Sequence, residues 1–393
     1  MSIATRYGWA GLALLAAGCA SAPPAPAGIA ARMGTGAEAT CRTPSATIAF
    51  DFDGAPPLAC AITGDRDVTL LVTPEHAPPI NPSPWYAFRY EATGEGPVTI
   101  TLRYLGAEHR YAPKRSDGDG VWRDVAAEPS ADGKGMVMRL PAGRGQIAAQ
   151  EIITPDDAAQ DLARWSAATG AAVFTLGASH DGRPVEAIRL GRADAPQLVV
   201  LLGRQHPPEV TGAIAMRAFV DALVERAGAL GNVQVLVVPM MNPDGAARGH
   251  WRANRGAVDL NRDWGAFTQP ETRAVKAWLD TLAAGVRPVL MVDFHSTSRN
   301  LFYVQGTEAS PAETRFLTAW LGGRENAFAG YPFTIEPRNA NPGSGTAKNW
   351  FHARYKIPSY TYEVADTADR DAARNAAREL AVGLIPALPG MDN

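Results

Sequence analysis

Three side chains suited to binding a divalent cation stand at the ends of apolar runs. His206 and Glu209 lie three residues apart in Gly203-Arg204-Gln205-His206-Pro207-Pro208-Glu209, directly after the apolar run Leu198-Val199-Val200-Leu201-Leu202. His295 closes a second apolar stretch in Asp293-Phe294-His295-Ser296, 86 residues beyond Glu209. Two imidazoles and one carboxylate suit zinc, and three protein ligands leave a fourth position open, as in a catalytic site. No cysteine joins the set, which argues against a closed structural site. A His-x-x-Glu pair is weak by itself; a second histidine in the same context gives it weight. Asp293 is placed to orient the His295 imidazole.

These residues need elements that bring them together. From Thr154 onward the pattern predicts a helix over 156–169, a strand over 187–192, a buried strand over 198–202 and a helix over 210–227. A buried strand over 233–238, a helix over 270–284 and a strand over 289–294 follow. A helix over 311–322, a strand over 359–364 and a closing helix over 369–385 complete the series. Strands alternating with helices imply an α/β domain with a mixed, mainly parallel sheet, and functional groups gather beyond the C-terminal ends of such strands. Between Cys41 and Ala149 the rhythm is different: short runs at 47–52, 68–72, 85–90, 98–104, 121–125 and 136–140, broken by turns. That spacing predicts an all-β antiparallel sandwich, with 85–90 and 98–104 flanking Gly94-Glu95-Gly96 as a hairpin. Few plausible catalytic groups fall in this segment.

Further motifs lie between and beyond the candidate ligands: Asn242-Pro243-Asp244-Gly245, Trp251-Arg252, Asp259-Leu260-Asn261-Arg262-Asp263-Trp264 and Ser359-Tyr360-Thr361-Tyr362-Glu363. In this order and spacing, residues 155 to 388 closely resemble the zinc metallocarboxypeptidase family, typified by pancreatic carboxypeptidase A. The resemblance implies a carboxypeptidase-like fold and one zinc ion per chain, held by His206, Glu209 and His295. It implies that Glu363 is the general base, taking a proton from the attacking water and delivering it to the leaving amine. Arg252 falls on the arginine that stabilises the oxyanion, and Asn261 with Arg262 on the pair that grips a terminal carboxylate. The chemistry agrees: a guanidinium stabilises developing negative charge, and arginine pairs bidentately with a carboxylate.

Two positions bear on specificity. The place expected to carry a substrate-capping tyrosine holds Asn341, and Tyr331 or Tyr303 is the available substitute, so no catalytic tyrosine is assigned. Lys348 falls on the usual specificity position, where a lysine favours an acidic terminal side chain; the alternative is a lysine directed to solvent. A β-domain directly before the catalytic domain resembles the cytosolic-carboxypeptidase branch and its bacterial relatives. Of the other histidines, His76, His109 and His180 read as exposed, His250 as a candidate for the cleft, and His352 as a packing or surface group. The implied partner is a peptide with a free C-terminal carboxylate. The alternative readings are an amidase or carboxypeptidase acting on peptidoglycan stem peptides, and a binding protein with a vestigial zinc site.

The N-terminus reads as an address. Arg6 precedes a short apolar region, and Leu14-Leu15-Ala16-Ala17-Gly18-Cys19 resembles a bacterial lipoprotein signal in which Cys19 is lipidated; the alternative is a plain secretory signal cut near Ala22. Domain boundaries follow: a signal over 1–19, an Ala/Pro-rich tether over 20–38, the β-domain over 39–150 and the catalytic domain over 151–393. Export into the cell envelope, facing the periplasm, leaves Cys41 and Cys60 as an even pair, and predicts a disulfide between them. The 393 residues carry 37 Lys+Arg against 40 Asp+Glu, a formal charge of −3, which excludes a nucleic-acid binder driven by counterion release. With 46% hydrophobic and 20% charged residues, the chain is able to bury a core. No apolar run reaches the ~18 residues of a spanning helix, so membrane contact is expected through the lipid alone.

Overall fold

The structure is a computed structural model describing residues 31–32, 40–339, 341 and 343–388. The signal, Cys19 and most of the tether lie outside the described residues. Ala31–Arg32 pairs with Cys60 and Ala61, so a sheet begins within the segment expected as tether.

Two six-stranded sheets form the β-domain. One runs in the order Ala31–Arg32, Ala59–Ile62, Asp67–Val72, Val98–Tyr104, Gly135–Leu140, Ala127–Pro129. The other runs Thr40–Arg42, Ala46–Ala49, Ala87–Ala92, Gly143–Ala148, Lys114–Ser116, Arg123–Asp124. Their inner faces share a core that includes Ile48, Leu70, Phe88, Ile100 and Leu140, supplied by strands that bury alternate residues. Pairing is antiparallel except between Asp67–Val72 and Val98–Tyr104, which run parallel. The expected hairpin does not form: Ala87–Ala92 and Val98–Tyr104 belong to different sheets. The glycine turn carries the chain from one layer to the other, because each strand finds a longer-range partner. A Cys41–Cys60 disulfide is present, and it joins the two sheets.

The second sheet system has eight strands, in the order Val173–Ala178, Pro184–Leu190, Val233–Val238, Gln197–Gly203, Arg287–Thr297, Ser359–Ala365, Leu301–Val304, Thr334–Pro337. The four central strands are mutually parallel. Their apolar runs are continuous because both faces are covered. Val199 and Leu201 pack with helices Pro155–Thr169, Val210–Val224, Pro311–Trp320 and Arg370–Ala387. Leu198, Val200 and Leu202 pack on the other face, with Pro270–Leu279 and Ala347–Tyr355. The first helix starts as its sequence dictates: Thr154 and Asp157 form a capping box, Pro155 occupies the first turn, and Gly170 ends it in the left-handed region at φ 73°.

The chain leaves Gln197–Gly203 through helix Val210–Val224 to Val233–Val238 on one side; Arg287–Thr297 lies on the other. Strand order therefore reverses beside Gly203, and a crevice opens at the C-terminal strand ends.

The disulfide gives a stability prediction. Removing a cross-link that closes a loop of this size costs ~3 kcal/mol. Cys41→Ala/Cys60→Ala is expected to lower the denaturant midpoint of the β-domain, read by the fluorescence of its tryptophans. An unchanged midpoint would show that the bond does not tie the sheets together energetically.

Candidate active site

The crevice holds all three candidate ligands. His206 sits in the turn after Gly203, and Glu209 is the residue before helix Val210–Val224. His295 lies within strand Arg287–Thr297. Both imidazoles direct Nδ1 at the same carboxylate: His206 Nδ1 is 2.8 Å from Glu209 Oε1 and His295 Nδ1 is 2.6 Å from Glu209 Oε2. One donor atom from each residue falls within 4.8 Å of the others. Gly212 permits this closeness, since a Cβ there would meet the His295 carbonyl oxygen at 2.4 Å.

Each imidazole is held from behind by a second carboxylate. His206 Nε2 lies 2.9 Å from Asp259 Oδ1, and His295 Nε2 lies 2.7 Å from Asp293 Oδ2. Residues i and i+2 of a strand share a face, which brings Asp293 to His295. Asp293 Oδ2 also accepts from Gln205 Nε2 at 2.5 Å, and Gln205 Oε1 accepts from Trp264 Nε1 at 2.8 Å. Asp259 belongs to the Asp-Leu-Asn-Arg motif; its Oδ2 accepts from Arg252 Nε at 2.8 Å and lies 2.7 Å from Arg252 Nη2.

Burial alone would raise the carboxyls and lower the imidazoles, but pairing wins. The His206 and His295 rings hold the Glu209 carboxyl far below its ordinary range despite burial. Glu209 and Asp259 raise His206, and Asp293 and Glu209 raise His295. This donor set fits zinc: two Nδ1 atoms and a carboxylate converge, and the Nε2 atoms are anchored to carboxylates, as metal-ligating histidines normally are.

Glu363 lies in register with His295 on the adjacent parallel strand and lines the same cleft. Burial pushes its carboxyl up to about 7, with His295 opposing and Glu209 adding. The charge of a bound cation acts in the lowering direction. Arg252, Asn261 and Arg262 also line this cleft, which encloses about 200 Å³. Asn261 Oδ1 accepts from the Ala347 backbone N–H at 2.9 Å, and its Nδ2 stands 3.2 Å from His295 Nε2. Arg262 is exposed, with Nη1 donating to the Asn261 carbonyl at 2.7 Å.

Other candidates are placed differently. Lys348 is buried beside the cleft and does not line it; its Nζ donates to the Arg338 carbonyl at 2.8 Å, so it is not directed to solvent. Asn341 is exposed. Tyr331 is sealed in the core, and Tyr303 carries the Arg338 guanidinium over its ring at 5.5 Å; neither lines the cleft. His250 lies outside the cleft, against a small cavity near Arg204. His76 and His109 are half-buried, and His352 packs 3.1 Å from Glu313. Sequence reasoning missed Arg110 and Tyr111, which the β-domain contributes to the cleft wall. Arg110 Nε and Nη2 donate to Asp366 Oδ2 at 2.9 and 2.7 Å. Tyr111 OH accepts from Trp251 Nε1 at 3.1 Å, which leaves its own proton to donate. Tyr111 opens Tyr111-Ala112-Pro113, a segment that resembles the β-domain pattern of the cytosolic-carboxypeptidase branch, but no local pattern shows that either residue reaches the site, because the docking of the two domains brings them there.

The zinc carboxypeptidase family profile matches residues 167–380, more than half of the chain and the segment that holds every candidate ligand. The chain belongs to the zinc carboxypeptidase family. Among curated proteins, an uncharacterized protein of Zymomonas mobilis is 27% identical over 218 residues, covering 52% of this chain and 56% of its own length. Human cytosolic carboxypeptidase 4 is 33% identical over 113 residues, covering 26% of this chain and 10% of its own. The chain thus spans about half the length of the first of these relatives and a tenth of the second. In fold it is similar to a putative carboxypeptidase A from Shewanella denitrificans, with a TM-score of 0.72 at 20% identity over 87% of this chain and 98% of that one. A Pseudomonas aeruginosa metallo-carboxypeptidase, in complex with (2-guanidinoethylmercapto)succinic acid, gives a TM-score of 0.68 at 20% identity over 88% and 100%. These likenesses extend across the β-domain, so the two-domain arrangement is part of the shared fold.

The carboxylates behind the ligands yield a prediction. Asp259→Asn and Asp293→Asn are each expected to weaken zinc binding ~10- to 100-fold. Competition against a chromophoric zinc chelator measures it, and unchanged affinity in both variants would remove their orienting role.

Proposed function

We propose that this protein is a zinc-dependent metallocarboxypeptidase that hydrolyses the C-terminal peptide bond of peptides. The observation that carries the reading is the meeting, in one cleft, of the His206–Glu209–His295 set with Glu363 and the guanidinium groups of Arg252 and Arg262. When bound, zinc supplies Lewis-acid polarisation and makes water a nucleophile near neutral pH. Glu363, half-buried in the cleft wall, would accept a proton from that water and return it to the leaving amine. Arg252, fixed on Asp259, presents positive charge where the carbonyl oxygen becomes anionic. Arg262 and Asn261 receive the terminal carboxylate and so select the last peptide bond. The Glu209 carboxylate stays ionised beside both imidazoles and keeps the ligand set ready for a cation.

A preference for acidic terminal side chains is the finer part of this reading. It rests on the chain position of Lys348, whose Nζ donates to the Arg338 carbonyl and whose charge is answered by Glu308, so that it would act on a terminal side chain from behind the cleft wall. Burial lowers its pKa to about 8, so the amine still carries a proton at neutral pH.

Zinc-loaded protein, assayed on blocked dipeptides ending in Glu, Phe, Lys or Leu, tests both parts. Glu363→Gln is expected to lower kcat by ~10²- to 10⁴-fold with zinc still bound. Lys348→Ala is expected to reduce release of terminal Glu relative to the other three. Release that favours apolar ends in the native protein sinks the Lys348 reading and keeps the mechanism. No release from any peptide, with zinc bound, overturns the mechanism as proposed.

We also propose export and lipid anchoring at Cys19, facing the periplasm. The Leu14–Cys19 segment supports it, as does a disulfide, which suits an oxidising compartment. Metabolic labelling with a fatty acid should mark the native chain and not Cys19→Ala; equal labelling of both, or of neither, removes the proposal.

A further inference from the structure

Arg252 is held twice, once from each domain. Its side chain is fixed on Asp259 of the catalytic domain. Its backbone is fixed by Glu75, which lies in the loop after strand Asp67–Val72 of the β-domain. Glu75 Oε1 accepts from the backbone N–H groups of Arg252 at 2.9 Å and Ala253 at 2.8 Å, and Oε2 accepts from that of Trp251. Three consecutive backbone N–H groups turned to one anion form a nest, which an ionised carboxylate fills. Such bonds are shorter and about twice as strong as neutral ones.

The surroundings reinforce this hold. The Trp251 indole is itself bound by Tyr111 of the β-domain. His76, next to Glu75, meets His250 edge-on at 5.1 Å between ring centres, and His250 Nδ1 donates to the Ala253 carbonyl at 3.0 Å. The segment 250–253 is thus gripped on its backbone, on its tryptophan and on its histidine. Arg252 is the residue of that segment whose guanidinium lines the cleft.

We propose that Glu75 is a positioning residue for Arg252, so that the β-domain completes the oxyanion-stabilising part of the active site from across the domain boundary. A donor aimed at a transition state has to be held within ~0.5 Å of its productive position. A loop with three inward-turned N–H groups has no internal means of satisfying them; without the carboxylate, those groups take water and the loop moves. The inference rests on the proposed role of Arg252, and the test keeps the two apart.

The experiment compares the zinc-loaded full chain with Glu75→Gln, Arg252→Ala and the double variant. Glu75→Gln keeps the shape and removes the charge. Amide hydrogen exchange over 250–254 is expected to accelerate in Glu75→Gln, while exchange over 203–212 and zinc content stay unchanged. On a peptide substrate, kcat is expected to fall ~10- to 100-fold, the range for a misplaced group, with KM within about twofold. In the Arg252→Ala background the same substitution is expected to cost less than about twofold, and Glu75→Asp to restore part of the native kcat. Unchanged exchange over 250–254 overturns the proposal, and so does an equal kcat loss in both backgrounds, which is the mark of general destabilisation. If the native chain hydrolyses no peptide, the reading of Arg252 fails by itself, and the exchange result still decides whether Glu75 holds the loop. Should Glu75→Gln fail to fold, Glu75→Asp carries the same comparison.

Discussion

His206 and His295 each turn Nδ1 toward the Glu209 carboxylate, at 2.8 and 2.6 Å, from two different strand ends. That convergence is the constraint on which the rest of the site depends. Two imidazoles pointing at one carboxylate have to be restrained from the far side, or each is free to rotate away. Asp259 and Asp293 supply the restraint, and each is secured in turn, Asp293 by Gln205 and Asp259 by Arg252. The buried negative charge this requires is answered by the two imidazoles, whose pKa values the carboxylates beside them raise against the effect of burial. A cation held by His206, Glu209 and His295 would compete with protons for the same ring nitrogens, which makes its affinity pH-dependent.

The sheet makes the convergence geometrically possible. His206 follows strand Gln197–Gly203, and His295 lies on its parallel neighbour. The next strand over places Glu363 level with His295. Three adjacent parallel strands thus deliver the candidate metal ligands and the proposed base to the same end of the sheet. Helix Val210–Val224 packs so tightly behind them that Gly212 has no room for a side chain. The point of reversal in strand order leaves the opening above, and the loops that carry Arg252, Asn261 and Arg262 fold over it.

How much of this is legible in the sequence follows from which forces are local. Strand Gln197–Gly203 is readable because burial on both faces leaves the unbroken apolar run 198–202, and Ser359–Ala365 because aromatic and β-branched residues crowd it. His206, Glu209 and His295 are readable because they follow apolar runs, and Glu363 and Arg252 through the resemblance of their motifs to the family. The edge strands Val173–Ala178 and Thr334–Pro337 are hard to read because they are only partly covered, and Leu301–Val304, just inside one edge, because it has four residues and no alternation. Helix Ala347–Tyr355 is equally hard to read, since few apolar residues mark its inner face. The placement of Lys348 follows from it: position along the chain suggests the base of the pocket, but its direction is set by a helix whose other inward residues, Ala347 and Phe351, pack under the sheet. Arg110, Tyr111 and Glu75 are illegible for a further reason: a local sequence pattern does not record which surface of one domain meets which loop of the other.

That domain contact shapes the distribution of charge in the cleft. At the metal-ligand end of the cleft Glu209 and Glu363 stand beside the two imidazoles. Its walls are cationic, with Arg252 and Arg262 from the catalytic domain and Arg110 from the β-domain. In a space of about 200 Å³ the two signs are close enough to orient whatever enters. Under the proposed function, Arg262 and Asn261 would draw the terminal carboxylate of a peptide, which would leave the carbonyl to be attacked beside the metal ligands. Arg110 is itself tied to Asp366, just beyond the strand that bears Glu363, so the same ion pair that helps dock the β-domain also fixes one source of the orienting field. Loosening the domains would therefore disturb chemistry as well as stability, even though every metal ligand and the base lie on one side of the boundary.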